Sequence, residues 1–184
     1  SAGGNWSETS TWIGGVVPTA NDDVVIDGTV YHNHKSDACK NLIVNAEKIL
    51  TSKNSNIQGW PLKITGDLVN NGSIKNADDG NWLQVKVSKD IVNNGVWTNY
   101  GTSLSGYGAH IISGNKPFGG YFLEVRLSKG IIAGSDLNFR GTTLLFGDQY
   151  DAIDFVINPE YTVSFSNSDD HIKGDFMPPT NMAR

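Results

Sequence analysis

The chain has 184 residues, one cysteine (Cys39) and a formal net charge of −5. This length is typical of one domain with its own core, and a single cysteine excludes an internal disulfide. The negative charge argues against a nucleic-acid surface, and the sequence has no run of about 18 apolar residues that would insert into a membrane. Twenty-one glycines predict short strands joined by tight turns.

The first segment, residues 1–28, is predicted to form an N-terminal cap and the first strand. A stack of strands leaves one edge of unpaired backbone groups at its start. We expect Trp6 and Trp12 to fold over that edge. Asp22 or Asp23 can accept backbone N–H bonds where the chain enters the first strand.

The next segment contains His32 and His34, which alternate along a predicted strand, with Asp37 and Cys39 close behind. Two imidazoles on one side of a strand, together with a thiol and a carboxylate, are compatible with zinc. The spacing differs from the strong zinc patterns, so a structural role for these residues is the favoured interpretation.

The central segment contains a repeat. Residues 62–74 align with residues 85–97 at a stride of 23, and both copies contain Asn-Asn-Gly. Residues 125–137 resemble a third copy 40 positions further on, with residues 110–114 as the intervening repeat. A unit of 20–25 residues is too short for a strand–helix–strand unit and predicts one structural coil per repeat.

Apolar and polar residues alternate within each copy, as in Leu83, Val85 and Val87, and this period of two is typical of strands. Asn-Gly is also a hairpin signal, so an antiparallel β-sandwich is the alternative fold. Repetition by pure translation favours a parallel β-helix, because each coil would stack on the previous one at about 4.8 Å. Asn70 and Asn93 are then expected to share side-chain amide hydrogen bonds between coils.

Two further expectations follow from this alignment. Gly72 and Gly95 should supply a positive φ at the corner of each coil. Trp97 aligns with Ile74 and should be buried, and Trp60 should also face inward.

The same alternation places aromatic and basic residues on one outer face of the coils. Aromatic rings beside lysine and arginine can stack on sugars and bind their hydroxyl or carboxylate groups. Phe122, Glu124 and Arg126 are expected to occupy the outward positions of Trp82, Gln84 and Lys86. Tyr100 and Tyr107 lie in neighbouring loops and can enlarge the surface. The predicted carbohydrate-binding residues are Trp82, Lys86, Phe122, Arg126, Lys63 and Tyr121.

Two sets of carboxylates are candidates for other chemistry. Asp67 and Asp90 occupy equivalent positions and would lie about 5 Å apart, a spacing used by retaining glycosidases. Turn aspartates commonly bond to backbone instead, and no enzyme motif occurs elsewhere, so the sequence favours a non-catalytic role. Asp78 and Asp79 are the preferred candidates for a calcium site, and no other cofactor is expected.

The N-terminal segment also resembles a known family. It is similar to the opening of β-helical repeat regions in secreted surface proteins of Bacteroidetes and, more distantly, to the glycine-rich eight-glycine domain. A second region of resemblance is the glycine-rich segment 106–114, followed by residues 123–127. The pattern at the start consists of Trp6-Ser7, Trp12, Gly14-Gly15, Pro18, Asp22-Asp23 and Val24-Val25-Ile26.

This resemblance implies secretion, a right-handed parallel β-helix and a non-catalytic role at the cell surface or in polysaccharide handling. We therefore expect coils over residues 29–175 and the start of a linker at residues 176–184, within a larger multidomain chain. The predicted function is an extracellular or cell-surface module for carbohydrate binding or adhesion, with no nucleic-acid partner. A structural stalk or spacer and a truncated polysaccharide lyase or hydrolase remain the alternatives.

Overall fold

The computed structural model describes residues 1–53, 59–127, 130–140, 143–146, 153–165, 172–173 and 176–177. The described chain is built almost entirely of short strands, with one 3-10 helix at Thr9–Thr11. No helix among these residues has the length and apolar character needed to cross a membrane.

In chain order, the first twelve strands are β1 (Gly4–Asn5), β2 (Val24–Ile26), β3 (Thr29–His32), β4 (Ala38–Cys39), β5 (Leu42–Val44), β6 (Ile49–Ser52), β7 (Leu62–Ile64), β8 (Leu68–Asn70), β9 (Ser73–Lys75), β10 (Gln84–Val87), β11 (Ile91–Asn93) and β12 (Val96–Thr98). The remaining strands are β13 (Gly101–Gly106), β14 (His110–Gly114), β15 (Phe118–Gly119), β16 (Phe122–Leu127), β17 (Ile131–Ala133), β18 (Leu137–Arg140), β19 (Thr143–Phe146), β20 (Ile153–Ile157), β21 (Val163–Phe165), β22 (Ile172–Lys173) and β23 (Phe176–Met177).

Successive strands are distributed over three faces, which are numbered in the order in which the chain reaches them from β2 onward. Face 1 is the sheet β2-β5-β8-β11-β14-β17-β20-β23. Face 2 is the sheet β1-β3-β6-β9-β12, and the sheet β15-β18-β21 continues it in the later turns. Face 3 is the sheet β4-β7-β10-β13-β16-β19-β22. Each full turn of the chain therefore contributes one strand to each face.

Every strand pair within these sheets is parallel, and the chain forms a β-solenoid of stacked turns. Val85 pairs with Leu62 across neighbouring turns, at the stride of 23 found in the sequence. The prediction of a parallel β-helix is confirmed, and the antiparallel sandwich is wrong. The physical reason is that repeated coils of similar length stack edge to edge, which satisfies their backbone groups without hairpins.

The interior of the solenoid is filled by ladders of aliphatic side chains, one from each turn. On face 1, Leu42, Leu68, Ile91 and Ile112 follow one another in register and are all buried. Burying each such side chain stabilises the fold by about 1.5–3 kcal/mol. Because a strand presents alternate residues to one side, the neighbouring residues of each strand face outward.

Two tryptophans close the start of the solenoid. Trp6 and Trp12 are buried against each other, with ring centroids 4.9 Å apart at 71°. The Trp12 indole Nε1 donates to the Trp6 carbonyl at 2.7 Å. The adjoining strand β1 pairs with β3, and the Ser1 amino group donates to the Val25 carbonyl at 2.9 Å. These contacts cover backbone groups that the first turn would otherwise leave unpaired.

Asp22 holds the turn that leads into β2. Its carboxylate accepts the Thr19 backbone N–H at 2.8 Å and the Thr19 hydroxyl at 2.7 Å. Both hydrogen bonds stabilise the ionised form of Asp22 and therefore lower its pKa from the ordinary value. The bond from the Thr19 hydroxyl has the larger effect on the pKa, and the bond from the backbone N–H has the smaller one.

The two asparagines of the repeat form the expected ladder. Asn70 and Asn93 are fully buried, and Asn70 Nδ2 donates to Asn93 Oδ1 at 2.8 Å. Their oxygens also accept the backbone N–H groups of Gly72 at 3.1 Å and Gly95 at 3.3 Å. The next residue in register is Gly114, so the ladder ends there.

The expected positive φ at Gly72 and Gly95 is wrong, since neither glycine belongs to the positive-φ set. Both positions require glycine for a different reason. A Cβ on Gly72 would collide with the carbonyl oxygens of Asn45 and Lys48, and one on Gly95 would collide with the Gly72 carbonyl. The corners of neighbouring coils lie too close together for any side chain.

The expected alignment of the third copy is wrong by two residues. Val125 pairs in turn with Leu104 and Val87, instead of with Val85. The intervening coil on face 3 is β13, which the apolar pattern did not indicate. Residues 110–114 form β14, the strand of face 1 that follows it.

The end of the described chain remains part of the solenoid. Phe176 and Met177, where a linker was expected to begin, form β23 and pair with Ile153 and Asp154 of β20. Residues 178–184 lie outside the described residues.

Candidate functional site

Three aromatic rings stack along the corner between faces 2 and 3. The rings of Trp82 and Tyr100 are parallel within 6°, with centroids 4.2 Å apart. Tyr121 continues the stack on Tyr100, at 5.3 Å and 5°. Phe122 meets Tyr100 edge-on at 5.6 Å and 87°. These four residues are called the aromatic corner.

The stack follows from the path of the chain. Trp82, Tyr100 and Tyr121 each come one or two residues before a strand of face 3, in three consecutive turns. The backbone N–H of Tyr121 donates to the Tyr100 carbonyl at 3.0 Å, and that of Tyr100 donates to the Leu83 carbonyl at 3.0 Å. Stacked coils lie about 4.8 Å apart, which is close to the spacing of stacked rings.

Phe122 belongs to the corner because of a glycine below it. Gly101 pairs with Phe122 on one side and with Gln84 on the other. A Cβ at Gly101 would collide with the Phe122 ring, so glycine leaves the space in which this ring lies. Phe122 therefore stands in the register of Gln84, and the expectation that it occupies the position of Trp82 is wrong.

Stacking decides which aromatic surfaces remain available to a ligand. A ring centroid separation of 4.2 Å between nearly parallel rings means that Trp82 and Tyr100 cover each other's faces. Trp82 remains 42% exposed and Tyr121 67% exposed, and these two rings terminate the stack. A sugar ring would therefore stack on an end of the array, and Tyr121 offers the larger exposed surface.

Two lysines lie on the outer surface of face 3 beside this corner. Lys63 and Lys86 are register partners on neighbouring strands, and both are exposed. Among the side chains that the structure describes, neither lysine has a carboxylate within ion-pair distance. Like charges directly opposite each other in a sheet are mildly destabilising. The two lysine charges therefore do not stabilise the fold.

The remaining predicted residues of face 3 are placed as follows. Ser103 and Glu124 continue the lysine row in register, and the Ser103 hydroxyl donates to the Glu124 carboxylate at 2.9 Å. Arg126 lies in β16, opposite Ser105, but its side chain is outside the described residues.

Tyr100 belongs to the candidate site, although the sequence indicated it only as a residue of a neighbouring loop. It forms the centre of the stack, and its sequence signal is only its position just before a strand. Tyr107 is fully exposed on a loop, and the described ring contacts do not include it. Trp97 is buried and pairs with Ile74, as expected.

The expectation that Trp60 faces inward is wrong. Half of its surface is exposed, and the Lys35 ammonium lies 5.8 Å from its ring centroid. Its backbone carbonyl accepts a hydrogen bond from His32 Nε2 of the preceding turn, at 2.9 Å.

Asp67 and Asp90 hold consecutive turns together at the corner between faces 3 and 1. Asp67 Oδ1 accepts the backbone N–H of Asp90 at 3.2 Å, and Asp90 Oδ1 accepts that of Ile111 at 2.8 Å. The Asn41 side chain performs the same role one turn earlier, for the N–H of Asp67 at 2.9 Å. Each carboxylate therefore has a backbone partner in the next turn, as a structural role requires.

His32 and Asp37 form a buried pair inside the solenoid. His32 Nδ1 lies 2.9 Å from Asp37 Oδ2, and His32 Nε2 lies 2.9 Å from the Trp60 carbonyl. Both ring nitrogens are thus engaged within the protein. The His34 backbone N–H also donates to Asp37 Oδ2, at 2.9 Å, but the His34 side chain is not part of the pair, and its Nδ1 lies 2.6 Å from the Ser36 hydroxyl.

The proposed calcium ligands lie in an exposed turn. Asp78 accepts a hydrogen bond from the Lys75 ammonium at 2.9 Å, and Asp79 accepts from the Asn81 side chain at 2.9 Å. Within the described ranges, no three histidine, cysteine or acidic side chains come together as a metal site. Calcium binding at Asp78 and Asp79 stays a prediction.

Cys39 lies in the core and is completely buried. Burial raises the pKa of its thiol to about 12, with a smaller contribution from the negative charge of Asp23. A thiol in this state is chemically inert, since the thiolate is the reactive form.

Comparisons with protein-family models, with curated proteins and with solved structures found no match to this chain. The function of this surface is therefore inferred from the residues of the chain itself.

Proposed function

We propose that this chain is a non-catalytic module of a secreted or cell-surface protein and that it binds polysaccharide through the aromatic corner and the outer surface of face 3. The single observation that supports this proposal best is the exposed aromatic stack itself. Tyr121 and Trp82 keep 67% and 42% of their surfaces exposed although the core has room for other aromatic residues, such as Trp97 and Phe118. Exposed rings on a rigid scaffold are typical of recognition surfaces.

The stack favours a ligand with flat apolar faces and many hydroxyl groups. A sugar ring can lie against the free face of Tyr121 or of Trp82, and the side chains of Gln84 and Lys86, on the strand that follows Trp82, can bind hydroxyl groups of a sugar at that end of the stack. Lys86 lies four residues from Trp82, which is about 13 Å along a strand. The stacked rings are held by one another, so little conformational entropy is lost when a ligand binds.

The similarity of the N-terminal pattern to β-helical regions of Bacteroidetes surface proteins supports the proposed extracellular location. In such a setting, a solenoid of this size would be one module of a larger multidomain chain.

The test is retention of the chain on insoluble polysaccharides, together with a glycan array. Tyr121→Ala and Trp82→Ala should each reduce retention, because they remove the two ends of the stack. Tyr107→Ala is the matched control, since it removes a tyrosine that is fully exposed but lies outside the aromatic corner. If the wild type is retained on no glycan, or if Tyr107→Ala reduces retention as much as Tyr121→Ala, the proposal is wrong.

A structural stalk or spacer is the second candidate, and the observation that favours it is the stacking of the rings on one another. Trp82 and Tyr100 cover each other's faces, and an aromatic pair of this kind stabilises a fold by about 0.5–1.5 kcal/mol. On this interpretation, Tyr100→Ala lowers the free energy of unfolding while glycan retention is absent in every variant.

A further inference from the structure

A groove runs along the outside of face 2, next to the aromatic corner. Its volume is about 810 Å³, and it extends from Glu47 in one turn to Arg140 four turns later. Turns of a solenoid are about 4.8 Å apart, so the groove is about 19 Å long. A groove of this length along the solenoid axis fits a linear polymer better than a small molecule.

Four glycines line the floor of the groove: Gly72, Gly95, Gly119 and Gly120. At each of them, a Cβ would collide with the backbone of the preceding turn. Backbone therefore forms much of the floor, with exposed Val96 as an apolar contact.

The end of the groove nearest Tyr121 is positively charged. Lys116 and Arg140 line it, both are exposed, and neither has an ion-pair partner among the described side chains. The acidic residue of the groove, Glu47, lies at the opposite end. The two ends of the groove therefore differ in charge, and an anionic ligand would be attracted to the end that contains Lys116 and Arg140.

The positive end and the aromatic corner are adjacent. Arg140 pairs with Gly119, which is only two residues before Tyr121. Tyr121 covers Tyr100 with one face, so its other face is turned toward the turn that contains Arg140. One ligand can therefore place an anionic group at Arg140 and a ring on Tyr121.

We infer that the groove and the aromatic corner together bind an acidic polysaccharide, whose carboxylate or sulfate groups pair with Arg140 and Lys116 while a neighbouring sugar stacks on Tyr121. Arginine suits this role because its guanidinium can donate two parallel hydrogen bonds to one carboxylate or sulfate. This inference rests on the proposed polysaccharide binding and adds the chemical class of the polymer.

The experiment compares polymers that differ only in charge. Dissociation constants are measured by calorimetry for polygalacturonate and its methyl ester, and for dextran sulfate and dextran. We expect the acidic member of at least one pair to bind more tightly and its affinity to fall with added salt. The carboxylate and sulfate pairs distinguish the two anionic groups.

Arg140→Gln should weaken binding of the acidic polymer roughly fivefold, the effect of losing one exposed ion pair. Tyr121→Ala should weaken it as well. Lys89→Gln is the matched control, because Lys89 is exposed and lies between β10 and β11, at the corner between faces 3 and 1. It removes the same charge and should leave the affinity unchanged.

Four results would overturn the inference. Equal affinity for the charged and neutral members of both pairs would do so and would leave the proposed function intact. Equal effects of Arg140→Gln and Lys89→Gln would show non-specific attraction. Binding of polyglutamate as tight as that of the acidic polysaccharides, unaffected by Tyr121→Ala, would indicate an acidic peptide ligand. Failure to bind any polysaccharide would refute the inference and the proposed function together.

Discussion

Replacing Asn93 by alanine should strongly destabilise the solenoid. The Asn93 side chain is fully buried. Its oxygen accepts from Asn70 Nδ2 at 2.8 Å and from the Gly95 N–H at 3.3 Å. Its nitrogen donates to the carbonyls of Pro117 at 2.9 Å and Lys116 at 3.3 Å. One side chain thus joins three consecutive turns.

The magnitude follows from the bonds that alanine cannot make. Each lost hydrogen bond costs about 1 kcal/mol when its partner stays buried. The two shorter bonds contribute most and the two longer ones less, so we expect a loss of about 3 kcal/mol. For a chain of this size, 1 kcal/mol shifts Tm by about 2–4 °C, which predicts a decrease of about 6–12 °C.

The assay is urea unfolding of the full chain, monitored by circular dichroism and tryptophan fluorescence. Asn94→Ala is the matched control, since Asn94 is the adjacent asparagine of the same repeat. Its Nδ2 donates to Asn71 Oδ1 at 3.1 Å on the exposed side of the corner. This variant should lose less than about 1 kcal/mol. Equal losses in the two variants would refute the idea that the buried amide ladder stabilises the stack.

Three further predictions concern buried groups. Gly95→Ala should lower the free energy of unfolding by several kcal/mol, because the new Cβ would collide with the Gly72 carbonyl. Gly80→Ala is its control and should lower the free energy of unfolding by only about 1 kcal/mol, because the Cβ at this position, where φ is 86°, meets no neighbouring atom. Cys39 should resist thiol labelling at pH 8 in the native state, and unfolding curves should show stability falling as the pH rises from 9.0 toward about 12, since the thiol ionises first in the unfolded chain. Burial lowers the pKa of His110, so stability should be lost as the pH falls below 6.5, and His110→Gln should reduce that loss in acid unfolding experiments; an unchanged pH dependence in this variant would contradict the assignment.

The parallel architecture could be predicted because two turns repeat both their core residues and their corner. Residues 62–74 and 85–97 share the same length between the strand of face 3 and the Asn-Asn-Gly corner. Val85 on Leu62 and Asn93 on Asn70 follow directly from that alignment, and both pairings are observed.

The following turn could not be predicted because it is short and polar. Val85 pairs with Thr102, only 17 positions later, whereas the previous stride is 23. The strand β13 has only one large aliphatic residue, Leu104. Its inward Thr102 is buried, and its hydroxyl accepts a hydrogen bond from the Trp97 indole at 3.3 Å. Because a polar residue occupies this inward position, β13 lacks the apolar alternation of the other strands. The sequence alignment therefore passes over this turn and places the third copy of the repeat two residues away from its observed register.

The candidate site was predictable only as a set of exposed residues. Trp82, Phe122 and Tyr121 are separated by up to 40 positions, and their contacts depend on the lengths of the turns between them. The central position of Tyr100 follows from the short turn, because only Asn99 and Tyr100 separate β12 from β13. An error of two residues in that turn changes which rings can stack.

The residues of this solenoid divide into those that stacking requires and those that it does not. Inward aliphatic residues, the Asn70–Asn93 pair and the corner glycines all have a partner in the next turn, so substitutions there report on folding. Lys63 and Lys86 repel each other in register, and Arg140 has no ion-pair partner among the described side chains. Since the fold gains little from these charges, their removal should leave stability within about 0.5 kcal/mol of the wild type. A loss of binding in these variants would therefore reflect recognition and could not be attributed to unfolding.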